Sequence, residues 1–250
     1  MTVFLHGLGL DSNDYSDYLA EQKDEHGLAI TLPGFSRTEK NSAPPIPLST
    51  HVEVVSDFIT EVAEKNPQKD LVLVGFSLGA DMILLLAEHW KNCGSRAPRL
   101  AGALLLDPNV NQSTMSISKL FARSDPANPL PAFKELINLA QDRDLFQALC
   151  VYLAKIARKD FFQLWQLSRD MIEYWKPDGY SQIGERLATV AEIFQNVRVV
   201  LSAAYETHLP AVQESALRHN APTVSFRLTK LDHFDLISSQ VLSSELQLIR

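Results

Sequence analysis

Three things are scarce in this sequence of 250 residues: cysteine, long apolar runs and blocks of like charge. The two cysteines, Cys93 and Cys150, form neither a metal-binding pattern nor a disulfide framework, so we expect both to be reduced and structural. No apolar run approaches the roughly 20 residues that a membrane-spanning helix needs. The net charge is −7 without like-charge blocks, which argues against nucleic acid and anionic membranes as the main partners.

The first residues also lack the features of a secretion signal. They read Met-Thr-Val-Phe-Leu-His, with neither a basic segment nor the apolar core of a signal peptide. We therefore expect a cytoplasmic protein. With 250 residues, 46% of them hydrophobic and 21% charged, the chain is long enough for one large α/β domain with a buried core.

What the sequence does contain is a G-x-S-x-G pattern between a strand and a helix. The apolar residues 71–74 predict a buried strand, and residues 82–90 continue as an apolar-rich helix. Ser77 lies between them, with Gly75 and Gly79 two positions away on either side. A serine on a sharp strand-to-helix turn needs such small neighbours because the backbone is strained and crowded there. The arrangement resembles the nucleophile elbow of the α/β-hydrolase superfamily.

A histidine near the end of the chain carries the second part of this resemblance. His233 follows the last predicted strand, 223–228, in the sequence Leu-Asp-His-Phe. The family commonly has Gly-His-Phe in this loop, so Asp232 is a departure from the pattern. The resemblance implies that His233 is the general base that accepts the serine proton. The other histidines lie in less suitable places, and His208 is the fallback.

Two residues compete for the role of the acid that orients His233. Asp107 ends the predicted strand 100–106, and open α/β sheets place functional groups at the carboxyl ends of their strands. Most family members carry the acid after the next strand, here 197–201, where the usual aspartate is absent and Glu206 lies one place late. A minority, including many lipases and thioesterases, takes the acid from the earlier strand. We therefore expect Asp107 to be the acid, with Glu206 as the alternative.

The predicted oxyanion hole combines two turns. The short β-type run 2–5 is followed by His-Gly-Leu-Gly, and a His-Gly turn in the family supplies one backbone N–H of the oxyanion hole. By that resemblance the donors are the amides of Leu8 and Leu78, which would meet the charge that develops on the substrate oxygen. Because nothing precedes this strand in the sequence, we expect a mostly parallel sheet of about six strands.

Between residues 109 and 196 the alternation of strands and helices stops. Apolar positions repeat at three and four and predict helices near 131–140, 144–157, 161–175 and 182–194. The family places a helical cap at this point, so the resemblance implies a core of residues 1–108 and 197–250 with a cap at 109–196. Aromatic residues make this insert suitable for lining an apolar acyl pocket. They are Phe121, Phe133, Phe146, Phe161, Phe162, Trp165 and Trp175.

The helix before the elbow strand is predicted from its cap and its apolar spacing. Ser49 and Thr50 are candidate N-cap residues, and His51 is expected to be exposed near the helix start. The apolar face is predicted to hold Val54, Val55, Phe58, Ile59 and Val62.

Together these features imply an α/β hydrolase that cleaves a carboxylic ester or thioester through a covalent acyl-enzyme. Such a mechanism needs no metal and no organic cofactor. The expected partner is an acyl ester or thioester, either a small molecule or a carrier-bound acyl group. Two alternatives remain open at this point: an acyltransferase on the same fold, and a ligand-binding protein that keeps the fold without turnover.

Overall fold

The computed structural model describes residues 1–22, 26–36, 44–93, 98 and 100–249. Within these residues, six strands form one sheet in the order β2-β1-β3-β4-β5-β6, and every neighbouring pair is parallel. This confirms the predicted fold class. The strands are β1 (Thr2–Leu5), β2 (Gly27–Ile30), β3 (Leu71–Phe76), β4 (Leu100–Leu106), β5 (Asn196–Leu201) and β6 (Val224–Leu228).

Helices surround this sheet and fill the segment between β4 and β5. The apolar strands β1 and β3 are buried at every position, as expected for a parallel sheet covered on both faces. The helices are α1 (Ser16–Glu21), α2 (Leu48–Lys65), α3 (Leu78–Cys93), α4 (Ser116–Ala122), α5 (Leu130–Ile137), α6 (Arg143–Ile156), α7 (Phe161–Tyr174), α8 (Ser181–Ile193), α9 (Leu209–Arg218) and α10 (Ser239–Leu246).

The helical insert, residues 109–196, contains the four predicted helices and one that the sequence did not reveal. The additional helix is α4, whose seven residues are too few to display a clear apolar period. Helix α4 packs against α7, and α5 packs against both α4 and α6. Helix α8 instead packs against α3 and α9, so it joins the layer of helices that flanks the sheet.

Helix α2 starts earlier than predicted, and its apolar face was predicted in part, since Val55, Ile59 and Val62 are buried as expected. It begins at Leu48, whose N–H donates to Oδ2 of Asp170 on α7 at 2.8 Å, so a distant carboxylate caps it in place of Ser49 or Thr50. Two residues of the predicted apolar face, Val54 and Phe58, are 44% and 37% exposed. The face that is buried, and that packing against α3 and α7 selects, contains Leu48, Val52, Val55, Ile59 and Val62.

Two smaller expectations also need correction. His51 is fully buried rather than exposed, because the start of α2 lies beneath α7 and Nε2 of Gln163 is 3.3 Å from its Nε2. Cys93 and Cys150 are free thiols, but both are exposed and so do not contribute to the core. No helix in the described part of the chain is long and apolar enough to cross a membrane.

Candidate active site

Ser77 occupies a strained turn between the last residue of β3 and the first of α3. Its φ of 52° lies in the left-handed region that residues other than glycine rarely adopt. A Cβ on Gly75 would lie 2.2 Å from the carbonyl oxygen of Gly79, and a Cβ on Gly79 would lie 2.1 Å from that of Leu5. Only glycine therefore fits at both positions, which is the reason that the elbow pattern requires it.

Asp107 and His233 are in direct contact. Asp107 follows β4 directly, with 1% of its surface exposed and a φ of 46°. Its Oδ2 lies 2.8 Å from Nδ1 of His233, and its Oδ1 accepts the backbone N–H of Ser202 at 2.6 Å. A carboxylate only accepts hydrogen bonds, so Nδ1 carries the proton and Nε2 has the free lone pair. The His233 side chain is 28% exposed, so a substrate can reach this ring.

Glu206 and His208, the two alternatives considered from the sequence, lie in other surroundings. Glu206 is exposed at the end of the 3-10 turn Ala203–Tyr205, while Nδ1 of His233 is bonded to Asp107. Nδ1 of His208 lies 2.8 Å from the hydroxyl of Tyr180. The geometry thus brings Asp107, and not Glu206, to the candidate base.

Ser77 and His233 are neighbours without a direct hydrogen bond. Among the described residues, the Ser77 hydroxyl makes no hydrogen bond to the His233 ring. That ring lies against Phe76, the residue before the serine, with ring centroids 4.5 Å apart. Catalytic hydrogen bonds are often long without substrate and shorten when it binds, so the position of His233 suits a base for Ser77.

The turn formed by residues 6–11 orients the predicted amide of Leu8. The Gly7 carbonyl accepts the N–H of Leu10 at 3.1 Å and lies 2.8 Å from Nδ1 of His6. The N–H of Leu32 donates to Nε2 of His6 at 3.0 Å, which leaves the ring proton on Nδ1. Because a trans peptide directs its N–H opposite to its C=O, anchoring the Gly7 oxygen sets the direction of the Leu8 N–H.

His6 remains neutral in this position. Burial lowers its pKa to about 4, well below the ordinary value of 6.5. At neutral pH it therefore acts as a fixed hydrogen-bonding group and not as a charge.

The second predicted donor is the backbone amide of Leu78. Leu78 is the first residue of α3, where backbone N–H groups have no partner within the helix. The close contact of Gly79 with Leu5 brings the two turns together.

Asp81 is a residue beside the site that the sequence analysis missed. This buried carboxylate lies in the first turn of α3, and its Oδ1 accepts the backbone N–H of Asn109 at 3.0 Å, while its Oδ2 accepts the Asn109 side chain. Asn109 lies two residues after Asp107, so Asp81 ties this loop to the elbow helix. Burial raises the pKa of Asp81 to about 7, although Asn109 and Arg186 oppose the shift. A charged residue within an otherwise apolar helix start was the available signal.

Three of the seven aromatic residues singled out in the insert pack on one another. Phe161 contacts Phe121 and Phe133, each with a ring-centroid distance of 5.4 Å, while Phe146 and Phe162 are exposed on the surface. The rings beside His233 come from other positions. Phe234 lies 5.2 Å from the His233 ring, and Tyr152 lies 5.2 Å from Phe234. Part of the aromatic content of the insert therefore forms its own core, and a role of the other residues in an acyl pocket stays a prediction.

The rim of the site is acidic. Partial burial and the carboxylates of Asp235, Asp142 and Asp144 raise the pKa of Asp232, the residue before His233. Asp235 lies in the same loop as His233, and Asp142 and Asp144 lie at the start of α6, so carboxylates of two segments act on Asp232. Within the described residues, no three His, Cys, Asp or Glu side chains are arranged to hold a metal ion.

Comparison with known proteins agrees with this architecture. The model of the alpha/beta hydrolase family matches residues 2–240, and the chain belongs to this family. The resemblance inferred from the elbow and the histidine loop is thereby confirmed. No curated protein sequence matches the chain significantly.

Solved structures share the fold at low sequence identity. A variant of AqdC, which recognises and cleaves the ring of the Pseudomonas quinolone signal, superposes with a TM-score of 0.72 and 17% identity over 99% of this chain and 90% of that chain. MenH from S. aureus gives 0.68 and 16% over 99% and 91%. A thermophilic esterase from Thermogutta terrifontis gives 0.64 and 16% over 99% and 89%. At such identities the likeness establishes the fold alone.

Proposed function

We propose that the protein is a serine hydrolase that cleaves a carboxylic ester or thioester through an acyl-enzyme. The observation that carries this proposal is the bond between Asp107 and His233 at 2.8 Å, beside a serine on a strained elbow. Asp107 holds the ring so that Nε2 is the basic nitrogen. In the same proposal, residues 1–108 and 197–250 form the catalytic core and residues 109–196 form its cap.

The first half of the reaction acylates Ser77. Nε2 of His233 takes the hydroxyl proton as Ser77 Oγ attacks the substrate carbonyl carbon, and the carbonyl oxygen becomes an oxyanion. The amides of Leu8 and Leu78 donate to this oxyanion, which is stabilised more strongly than the neutral carbonyl. As the tetrahedral intermediate collapses, the carbon–oxygen or carbon–sulfur bond breaks, and the proton passes from His233 to the leaving alcohol or thiol.

The second half regenerates the enzyme. Water attacks the acyl carbon while His233 takes a proton from it, and the same two amides stabilise the second oxyanion. Collapse releases a carboxylic acid and returns the proton to Ser77 Oγ. Asp107 stays ionised throughout and stabilises the imidazolium that forms twice in each cycle.

The acidic rim indicates which acyl compounds suit this site. Asp232 directly precedes His233 and is under the influence of the carboxylates of Asp235, Asp142 and Asp144, and like charges repel a substrate that carries phosphate or carboxylate groups. We therefore propose uncharged esters and thioesters as better substrates than anionic carrier-bound ones. The preference is tested by comparing the hydrolysis of a neutral ester with that of an anionic ester of the same acyl chain. The difference between the two should become smaller as added salt screens the charges of the rim.

A second candidate uses the Asp107–His233 pair as a base without covalent catalysis. The missing hydrogen bond between Ser77 and His233 favours it, and so does the likeness to AqdC, which cleaves a ring. In this case His233 would remove a proton from the substrate directly. The distinguishing property is the role of Ser77, because a base-only reaction would survive its replacement by alanine.

Reaction with a fluorophosphonate probe, followed by intact-mass measurement, tests the proposal. An activated serine attacks the phosphorus and displaces fluoride, so we expect one adduct on the wild type and none on Ser77→Ala. Ester hydrolysis by Ser77→Ala should fall by a factor on the order of 10⁶. Transfer of the acyl group to added glycerol, seen as a glycerol ester, would identify an acyltransferase.

Other outcomes point elsewhere. Absence of an adduct on the wild type would refute the serine hydrolase and favour a ligand-binding protein. An adduct that persists on Ser77→Ala would place the nucleophile at another residue. Turnover that survives in Ser77→Ala would support the base-only candidate.

A further inference from the structure

We propose that Tyr152 of the helical insert is a positioning residue for the oxyanion hole, acting through the carbonyl group of Leu8. The inference rests on the proposed function, because it concerns the amide that would meet the oxyanion. It adds a role for the insert beyond covering the site. One helix of the insert, α6, would complete the geometry of a turn that belongs to the core.

The contact itself is direct and buried. The Tyr152 side chain lies on α6, the residue is 3% exposed, and its hydroxyl donates to the carbonyl oxygen of Leu8 at 2.8 Å. Burial raises the pKa of this phenol above its ordinary value of 10.0. The hydroxyl therefore keeps its proton at neutral pH and remains a donor.

Tyr152 supplies the second of two anchors around Leu8. The peptide before Leu8 is held from the core, where its oxygen contacts Nδ1 of His6 at 2.8 Å. The peptide after Leu8 is held from the insert, where its oxygen accepts the hydrogen bond from Tyr152. That peptide leads into Gly9, whose φ of +74° is in the region that glycine adopts without strain. With the peptide before Leu8 and the peptide after it both anchored, Leu8, which carries the predicted N–H donor, is held from both sides.

Packing also ties the turn 6–11 to the insert. A Cβ on Gly9 would lie 2.5 Å from Ile156 and 2.9 Å from Leu164, so α6 and α7 press directly against this residue. The Tyr152 ring meanwhile lies 5.2 Å from Phe234, which adjoins His233. The Tyr152 side chain thus contacts the turn 6–11 through its hydroxyl and the loop that carries His233 through its ring.

The chain offers a matched control in Tyr15. Its hydroxyl donates to the carbonyl oxygen of Leu5 at 2.9 Å, and the residue is 1% exposed. Tyr15→Phe and Tyr152→Phe therefore each remove one buried phenol hydroxyl from a backbone carbonyl of the same segment. Only Tyr152→Phe releases the peptide next to Leu8. A general loss of stability should affect the two variants alike, whereas a positioning effect should appear in one.

The experiment compares wild type, Tyr152→Phe and Tyr15→Phe in ester hydrolysis, fluorophosphonate labelling and thermal unfolding. We expect Tyr152→Phe to lower kcat and the labelling rate about 10- to 100-fold, less than complete loss of an oxyanion donor, with KM within about twofold of wild type. Tyr15→Phe should show a similar fall in Tm with kcat near wild type. Should Tyr152→Phe not fold, Tyr152→Met, which also lacks a donor, takes its place.

The results separate this inference from the proposed function. Normal labelling of the wild type with equal rates in both variants would overturn the role of Tyr152 and leave the hydrolase standing. A change in KM alone would also overturn it, since Tyr152 would then contact substrate instead of orienting the turn. No labelling of the wild type would remove the hydrolase first, and the inference with it.

Discussion

The carboxyl edge of the sheet and the helical insert organise their residues in different ways. At the sheet edge, backbone geometry places each reactive group, as the positive φ values of Ser77 and Asp107 show. The N–H of Ser77 bonds to Leu106 of the next strand, so the elbow is held by the sheet itself. In the insert, helices pack on each other and reach the site through individual side chains such as Tyr152. Backbone conformation therefore positions the candidate groups at the sheet edge, whereas the insert contacts them through side chains.

The two regions also differ in how polar groups are partnered. Asp107 is satisfied by its two neighbours on the sheet edge, one backbone amide and one imidazole. The insert instead sends lysines across to the turn 6–11 and the residues after it. Lys159 bonds to Asp11 and to the carbonyl oxygen of Phe35, and Lys155 pairs with Asp14. These bonds join segments more than 100 positions apart, so they depend on the whole fold being formed.

The largest effect should follow from replacing the carboxylate of Asp107 at the sheet edge. An asparagine there would offer an N–H to Nδ1 of His233, which favours the wrong tautomer and removes the charge that stabilises the imidazolium. We expect Asp107→Asn to lower kcat for ester hydrolysis by a factor on the order of 10⁴ with little change in stability. Glu206→Gln is the control and should stay within about twofold of wild type. The reverse pattern would transfer the acid role to Glu206.

A smaller effect should follow from breaking the link between the insert and the turn 6–11. Burial raises the pKa of Asp11, but hydrogen bonds from Lys159 and Asn13 outweigh it and bring the value to about 2. Lys159→Met would leave this carboxylate buried without its cation. We expect the free energy of unfolding at pH 7 to fall by about 3 to 5 kcal/mol, measured by urea denaturation.

Two comparisons sharpen this prediction about Lys159. Lys155→Met removes a pair whose lysine is 36% exposed and should cost about 1 kcal/mol or less. Because the folded pKa of Asp11 lies below its unfolded value, the contribution of the pair is present above about pH 4 and is lost as the pH falls through 2. The difference between wild type and Lys159→Met should therefore shrink in acid. If both lysine variants lose the same free energy of unfolding, the burial of the Lys159–Asp11 pair does not make it more stabilising than the Lys155–Asp14 pair.

The third effect, smaller than that of Lys159→Met, is a pH-dependent change in stability that depends on Asp81. This residue connects the elbow helix to the loop where the insert begins. Its folded pKa of about 7 exceeds the ordinary 3.8, so its contribution to stability is full below pH 4 and is lost as the pH rises through 7. Between pH 5 and pH 8 this loss should be about 2 to 3 kcal/mol in wild type and absent in Asp81→Asn. The pH dependence of thermal or urea unfolding, as a difference between the two proteins, measures it. Parallel curves would contradict the assignment.

Sequence reasoning succeeded where structure is local. The five strands with stated predicted bounds, all except β2, lie within a few residues of them, because each is a short apolar run bounded by turn residues. The elbow was visible because strand, serine, glycines and helix are contiguous in the chain. The helices of the insert were found from their apolar period, except α4, which is short. The buried face of α2 was predicted only in part, with Val54 and Phe58 wrongly included, because the neighbours against which a helix packs are not encoded in its own period.

By itself the sequence determined the family, the order of strands and helices along the chain, and three candidate reactive residues at strand ends. The tertiary structure alone decided that Asp107 contacts His233, that His51 is buried, and that Tyr152 reaches the carbonyl of Leu8. The physical reason is sequence separation. Hydrogen bonds and apolar periods within one element leave a local pattern, whereas contacts across 126 or 144 positions arise only when sheet order and helix packing bring distant segments together.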